Sequence, residues 1–110
     1  HASAGDVTTL LREFLAPSGK VLHEATAREM IRNHTPGLGA DRGLGFQLGA
    51  ALGNGCSPAA FGHPGSTGTL AWADPATGTS FVLLTSLPKN VSGDLLLDPA
   101  SDRVAGAMIA

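Results

Sequence analysis

Apolar residues recur at helical spacing in the first third of this chain and at strand spacing in its middle. Near the start, five apolar side chains fall three or four positions apart on one predicted helix face. They are Val7, Leu10, Leu11, Phe14 and Leu15. Ser3, with Asp6 three residues later, predicts the N-cap of this helix, and residues 17–19 predict its end.

The rest of the pattern predicts one more short helix, three strands and a terminal helix. The second helix is expected over residues 24–33, and the strands over 44–48, 67–73 and 79–87. The turn signal at 74–78 predicts that the last two strands form a β-hairpin. Residues 81–84 are continuously apolar, so that strand is expected to be buried on both faces. A final helix is expected over 98–109, with Val104, Met108 and Ala105 as the candidates for its inner face.

This order of elements indicates an α+β fold of antiparallel strands packed with helices, the helices being expected on one side. The 110 residues are enough for one small domain. With 43% hydrophobic and 15% charged residues, the chain has the composition of a compact globular protein.

Charge and apolar run length exclude several classes of partner. The net charge of −2 provides no basic stripe for nucleic acid. Lys and Arg are scattered singly, which argues against an anionic membrane surface, and no apolar run approaches the ~20 residues of a membrane helix. The one cysteine is Cys56; no sequence motif places a base beside it, and it is interpreted as a small packing or partly exposed thiol.

The most informative local segment is Gly62-His63-Pro64-Gly65-Ser66-Thr67-Gly68, which leads into a predicted strand. Glycines there let a ligand approach the backbone, and N–H groups at a strand edge can bind an oxyanion. His63 adds a side chain that can titrate near neutrality. The alternative is a glycine-rich turn with a partly exposed histidine. The histidines and Cys56 lack the short paired spacing of a zinc site, so no metal site is predicted.

The same segment and the hairpin after it resemble the serine β-lactamase-like family, which includes penicillin-binding proteins and related esterases and D-aminopeptidases. In that family a Lys-Thr-Gly triplet, or His-x-Gly in many esterase and class C-like members, lies on a strand beside the active site. Here the triplet is His63-Pro64-Gly65, and Trp72-Ala73-Asp74-Pro75 and 81–85 continue as the family's terminal hairpin does. Residues 3–7 resemble the family's Ser-x-x-Asp-Leu helix start, and 33–36 with 43–46 its run into the preceding strand.

Two family motifs are missing from these residues. The sole Ser-x-x-Lys match, Ser86-Leu87-Pro88-Lys89, contains proline and follows a strand, whereas the family nucleophile opens a buried helix. No tyrosine is present, so there is no Tyr-x-Asn motif. The resemblance therefore implies an N-terminal portion of the same protein as partner, in one polypeptide or as a separate cleaved chain, that supplies the nucleophile.

The resemblance implies the C-terminal portion of the β-lactamase/transpeptidase-like fold, with residues 1–36 ending its helical region and 37–110 forming the last strands and terminal helix. It implies acyl transfer from esters, β-lactams or small amides to a serine and then to water. The backbone of Ser66 would form one edge of the oxyanion hole, and His63, Gly65, Ser66 and Thr67 would bind the small-molecule substrate, His63 also serving in catalysis. No cofactor or metal is implied. A non-catalytic penicillin-recognition module is the alternative, and the residues do not indicate a compartment.

Overall fold

The structure is a computed structural model that describes residues 2–107. Its helices are α1 (Ala4–Leu15), α2 (Glu24–Met30), α3 (Lys89–Ser92) and α4 (Asp98–Ala107); Gly49–Ala51 forms a 3-10 turn and Gly93–Leu97 a π-helical turn. Its strands are β1 (Gln47–Leu48), β2 (Phe61–Gly65), β3 (Thr69–Asp74) and β4 (Thr79–Leu84). None of the helices in this range is long and apolar enough to cross a membrane.

The two N-terminal helices begin where the sequence predicts. Ser3 and Asp6 form a reciprocal capping box, in which each side chain accepts the other's backbone N–H at 3.1 Å. The second helix ends at Met30, three residues early, because the Met30 carbonyl accepts the N–H of Leu44 at 2.8 Å. The N–H of His34, which would continue the helix, donates instead to Arg42 O at 2.8 Å.

The sheet is antiparallel throughout, in the order β1-β2-β3-β4. This confirms the predicted α+β class. The β3–β4 hairpin is also confirmed: the carbonyl of Asp74 accepts the N–H of Gly78 at 2.8 Å, and Gly78 has a φ of +69°. Across the hairpin, the rings of Trp72 and Phe81 stack at 5.5 Å.

The expected number of strands is wrong, because residues 61–65 form a strand that the pattern did not predict. Gly62 lies opposite Trp72, and a Cβ at position 62 would overlap the backbone of Ala71 and Trp72. Close pairing with β3 therefore determines that these residues form a strand, since glycine and proline have low β-propensity and do not predict one. The predicted strand at 67–73 in fact begins at Thr69, and the one at 44–48 is reduced to Gln47–Leu48.

Helices cover both faces of the sheet, which corrects the expectation of one covered side. One buried cluster joins the sheet to α1 and α2 and contains Leu11, Phe14, Ala27, Leu48, Phe61 and Ala73. The other joins it to the π-helical turn and α4 and contains Leu52, Cys56, Ala60, Leu70, Trp72, Leu97 and Ala105. Leu70 and Trp72 alternate with Ala73 along β3, and alternate residues of a strand point to opposite faces.

β4 is less buried than its continuous apolar run predicts. Phe81 and Leu83 pack against one cluster and Val82 against the other, but the residues of the strand are only half-buried or exposed. β4 is the last strand in the order, and within the described residues it pairs with β3 alone. Its second edge is therefore open here.

The terminal helix begins at Asp98, as predicted, but other helical turns that the pattern did not predict come before it. Helical turns run from Lys89 through the π-helical turn into α4, which ends at Ala107 in the described range. Val104 packs against the core and Ala105 is fully buried, as expected. The predicted inner residue Met108 and the predicted end of the helix lie outside the described residues.

Candidate functional site

The His63-Pro64-Gly65 triplet lies within β2, and one edge of this strand faces away from β3. β1 pairs only with Gly62 and Phe61, so the triplet has no strand partner on that edge among residues 2–107. Proline lacks a backbone N–H and is tolerated in a sheet where that position faces an open edge. The triplet is thus an unpaired length of strand edge in the described chain; Pro64 offers no N–H there, and its carbonyl oxygen is hydrogen-bonded to the His63 ring.

Beyond the triplet, Ser66, Thr67 and Gly68 form the three-residue turn between β2 and β3. Gly68 N–H donates to Gly65 O at 3.2 Å, and Gly68 has a φ of +98°, as three-residue hairpin loops require at this position. Ser66 and Thr67 are therefore turn residues, which corrects the expected placement of Thr67 in a strand. The Ser66 carbonyl accepts the N–H of Lys89 at 3.0 Å, whereas the Ser66 N–H meets no partner in the described part of the chain.

The imidazole of His63 is exposed and leans along its own strand. Its Nδ1 is hydrogen-bonded to the carbonyl oxygen of Pro64. A carbonyl can only accept, so Nδ1 must carry the hydrogen, and in the neutral ring Nε2 is an acceptor. His63 thus offers one ring nitrogen to a ligand or a second side chain at the open edge.

This arrangement can be compared with known proteins. The Beta-lactamase family model matches residues 1–105. The chain belongs to the beta-lactamase family. That membership indicates a serine-hydrolase-type fold, and it confirms the resemblance seen in the sequence.

A solved structure shows the same fold at low sequence identity. A crystal structure of a beta-lactamase from Mycobacterium bovis superposes with a TM-score of 0.82 at 23% identity over 99% of this chain. The match covers 45% of that protein, so this beta-lactamase-family chain spans less than half of its length. No curated protein matches the chain significantly.

The environment of Cys56 in this beta-lactamase-family chain makes its thiol unreactive. It is buried, and burial, with the nearby carboxylates of Asp74 and Asp102, raises the pKa of its thiol to about 11. A thiol that stays protonated at neutral pH is a poor nucleophile. The interpretation of Cys56 as a packing residue agrees with this environment.

Asp74 opens the predicted turn at 74–78, and its side chain is also buried beneath a neighbouring loop. The residue is 1% exposed, and its carboxylate accepts hydrogen bonds from the Ser57 hydroxyl at 2.6 Å and from the backbone N–H groups of Ser57 and Ala76 at 2.8 and 3.0 Å. It ties the 53–60 loop to the end of β3. Because all of these donors come from structural loops, Asp74 supports the fold on which the candidate site is built.

The remaining chemical groups do not gather at β2. Within residues 2–107, no three or more His, Cys, Asp or Glu side chains come close enough together to hold a metal ion. An open groove of about 430 Å³ runs beside β1, lined by Gly39, Ala40, Asp41, Arg42, Gln47, Leu48, Ala50 and Ala51. None of the predicted site residues lines that groove.

Sequence reasoning missed the segment after β4, which contacts the turn that carries Ser66. Thr85 donates through both its N–H and its hydroxyl to Gly68 O, at 2.9 and 2.7 Å, and Lys89 N–H reaches Ser66 O. Nothing in a single sequence relates residues 85–89 to residues 66–68. The signal available was indirect: Pro88 after an apolar run predicts only that the strand ends.

Proposed function

We propose that this chain is part of a serine hydrolase that forms an acyl-enzyme with esters, β-lactams or small amides. The observation that supports it most is the β2 edge at the His63-Pro64-Gly65 triplet, which has no strand partner among residues 2–107. It leads directly into the Ser66 N–H, which also meets no partner in that range. Such donors, held beside a reacting carbonyl, stabilise the negative charge of a tetrahedral intermediate.

Each residue at this edge has a proposed task. A substrate carbonyl lies beside the β2 edge, and a serine hydroxyl adds to its carbon while its proton passes to the catalytic base. The charge that develops on the carbonyl oxygen is met by the Ser66 N–H. The alcohol or amine part of the substrate then leaves with that proton, and water releases the acyl group from the serine. Gly65 contacts the substrate through its backbone, and the space that a Cβ at this position would take is occupied by the Thr69 hydroxyl. His63 contacts the substrate or the catalytic base through its free ring nitrogen, and Thr67 lines the end of the site. No cofactor takes part in this proposal.

The nucleophile is proposed to come from an N-terminal portion of the same protein. The structural neighbour is more than twice as long as the matched region, and the second edge of β4, with its half-buried apolar residues, is unpaired in the part of the chain that the structure describes. Unpaired strand edges of this kind favour pairing with another segment. We propose that the N-terminal portion supplies the Ser-x-x-Lys and Tyr-x-Asn motifs and packs against this region.

The test is hydrolysis of a chromogenic ester and a chromogenic cephalosporin by the intact protein, with mass spectrometry of the acyl adduct. The decisive variant is Ser66→Pro, which removes the backbone N–H. Proline suits the first central position of such a turn, and all non-glycine residues of the described chain have negative φ. Turnover should fall about 10²–10³-fold.

Ser66→Ala is the matched control, since it keeps the N–H and loses only the side chain. It should retain turnover within about threefold. Equal activity of the proline and alanine variants would contradict the oxyanion role. An intact protein that forms an adduct with a β-lactam and never releases product would favour the alternative, a penicillin-recognition module.

A second experiment tests the proposed partner. Residues 1–110 expressed alone should aggregate or fail to unfold cooperatively, and should recover a folded state when mixed with the N-terminal portion. A monomeric piece that unfolds cooperatively, or that hydrolyses esters by itself, would contradict the proposal.

A further inference from the structure

The turn that carries Ser66 is held from one side by the segment that follows β4. Three hydrogen bonds cross between them: Thr85 N–H to Gly68 O at 2.9 Å, Thr85 Oγ1 to Gly68 O at 2.7 Å, and Lys89 N–H to Ser66 O at 3.0 Å. The sequence separation is 17 residues for the Thr85 side-chain contact. The conformation of the turn therefore depends on a part of the chain outside its own hairpin.

The Thr85 hydroxyl uses both of its hydrogen-bonding capacities in this contact. It donates to Gly68 O and accepts the N–H of Leu87 at 3.2 Å, so it joins the turn to the crossing segment. The side chain is partly buried. Water has less access to such a pair than to an exposed one, so the bond constrains the turn more firmly.

Gly68 shows how closely the two segments meet. A Cβ placed on Gly68 would overlap the carbonyl oxygen of Leu87 and the hydroxyl of Thr85. The crossing segment thus lies directly on the last residue of the turn. A small displacement of residues 85–87 would be transmitted to Gly68 and then to Ser66, two residues away.

We infer that Thr85 is a positioning residue for the reaction: its hydroxyl fixes the β2–β3 turn so that the Ser66 N–H is aimed at the developing oxyanion. This inference rests on the proposed function. Donors in such sites act through geometry, and misplacement by about 1 Å can cost 10²-fold in rate. The Thr85 side chain itself need not touch the substrate.

The experiment compares Thr85→Val, Thr85→Ser and Thr85→Cys in the intact protein, with Thr9→Val as the matched control. Valine preserves the shape and removes the hydroxyl, serine keeps the hydroxyl, and Thr9 is an exposed threonine whose hydroxyl only donates to Gly5 O within α1. Thr85→Val should lower kcat about 10- to 100-fold with KM changed less than about threefold. Thr85→Ser should restore kcat to within about threefold, and Thr9→Val should leave it unchanged.

Two readouts separate positioning from a merely structural role. Titration of the nucleophile with a fluorophosphonate gives kcat per competent molecule, which a loss of folded protein would not change. Affinity for a boronic acid, whose tetrahedral adduct mimics the oxyanion, should fall in parallel with kcat/KM. If Thr85→Val does not fold, Thr85→Cys decides, because a thiol is a weaker hydrogen-bonding group of similar size and should give a kcat between those of the threonine and valine forms.

Suppose that the wild-type protein turns over substrate and that Thr85→Val and Thr85→Cys match it in kcat and in boronate affinity. This result would overturn the positioning role of Thr85 and leave the proposed function intact. A drop in kcat that Thr85→Ser does not restore would also overturn it. A wild-type protein that forms no acyl adduct would overturn the proposed function, and this inference with it.

Discussion

Replacing Ser101 by alanine should destabilise the protein strongly, although the change removes a single oxygen. Ser101 is fully buried in α4, where its hydroxyl accepts the indole N–H of Trp72 at 2.8 Å and donates to Leu52 O at 2.7 Å. Trp72 is also fully buried, and Leu52 is 3% exposed. One hydroxyl therefore connects β3, α4 and the end of the 3-10 turn inside the core.

The expected cost follows from the two groups that lose their partner. A buried donor or acceptor left unsatisfied costs about 1–3 kcal/mol. Two such groups, less the ~0.5 kcal/mol by which alanine is the better helix former, give a loss of about 2–5 kcal/mol in the free energy of unfolding. This is a large fraction of the ~5–15 kcal/mol that stabilises a typical domain.

The assay is urea unfolding of the intact protein followed by far-UV circular dichroism, with a double-mutant cycle. Thr9→Ala is the matched control: it also removes a hydroxyl from a helix, but Thr9 is exposed and water can replace its bond to Gly5 O, so the change should stay within about 0.5 kcal/mol. In a Trp72→Phe background the indole N–H is gone, so Ser101→Ala should cost less there by about 1 kcal/mol or more.

Two results would refute this reasoning. One is a Ser101→Ala effect no larger than that of Thr9→Ala. The other is additivity of Ser101→Ala and Trp72→Phe to within about 0.3–0.5 kcal/mol, which is the behaviour of independent sites.

Three further outcomes are expected. Gly62→Ala should unfold the intact protein or lower its free energy of unfolding by more than about 3 kcal/mol, because the new Cβ overlaps backbone atoms at Ala71. Gly106→Ala, which has open space around it in α4, should raise that free energy by up to about 1 kcal/mol. Thermal unfolding compares the two variants, and similar midpoints would contradict the packing argument. Burial raises the pKa of the Cys56 thiol from 9.0 to about 11, so the thiol's contribution to stability is present below pH 9 and is lost as the pH rises through about 11. At pH 8 the native protein should therefore react with iodoacetamide far more slowly than the unfolded protein. Equal labelling rates would count against burial of the thiol. His63→Lys places a full positive charge at the open edge of β2, so kcat/KM for carboxylate-bearing β-lactams should rise relative to kcat/KM for neutral esters. If the ratio of these two kcat/KM values did not change, the result would argue against a role of His63 in substrate binding.

The local elements show which parts of this fold can be predicted from one sequence. The capping box of Ser3 and Asp6, the apolar face of α1 and the β3–β4 hairpin with its turn at 74–78 all follow from residues close together in the chain. Interactions of this kind depend on hydrogen bonds and side-chain spacings within a few residues, so a single sequence records them. The family resemblance was likewise carried by contiguous motifs, chiefly His63-Pro64-Gly65 and the hairpin after it.

The tertiary structure decided the features that depend on distant residues. The sequence by itself determined the α+β class, the hairpin and the choice of residues 62–68 as the candidate site. It did not determine that residues 61–65 form their own strand, because Gly62 is fitted to the Trp72 side chain and backbone across the sheet. Helices cover both faces of the sheet, and the Thr85 hydroxyl donates to Gly68 O. Both features depend on how segments distant in the sequence pack together, and no local sequence pattern encodes that packing.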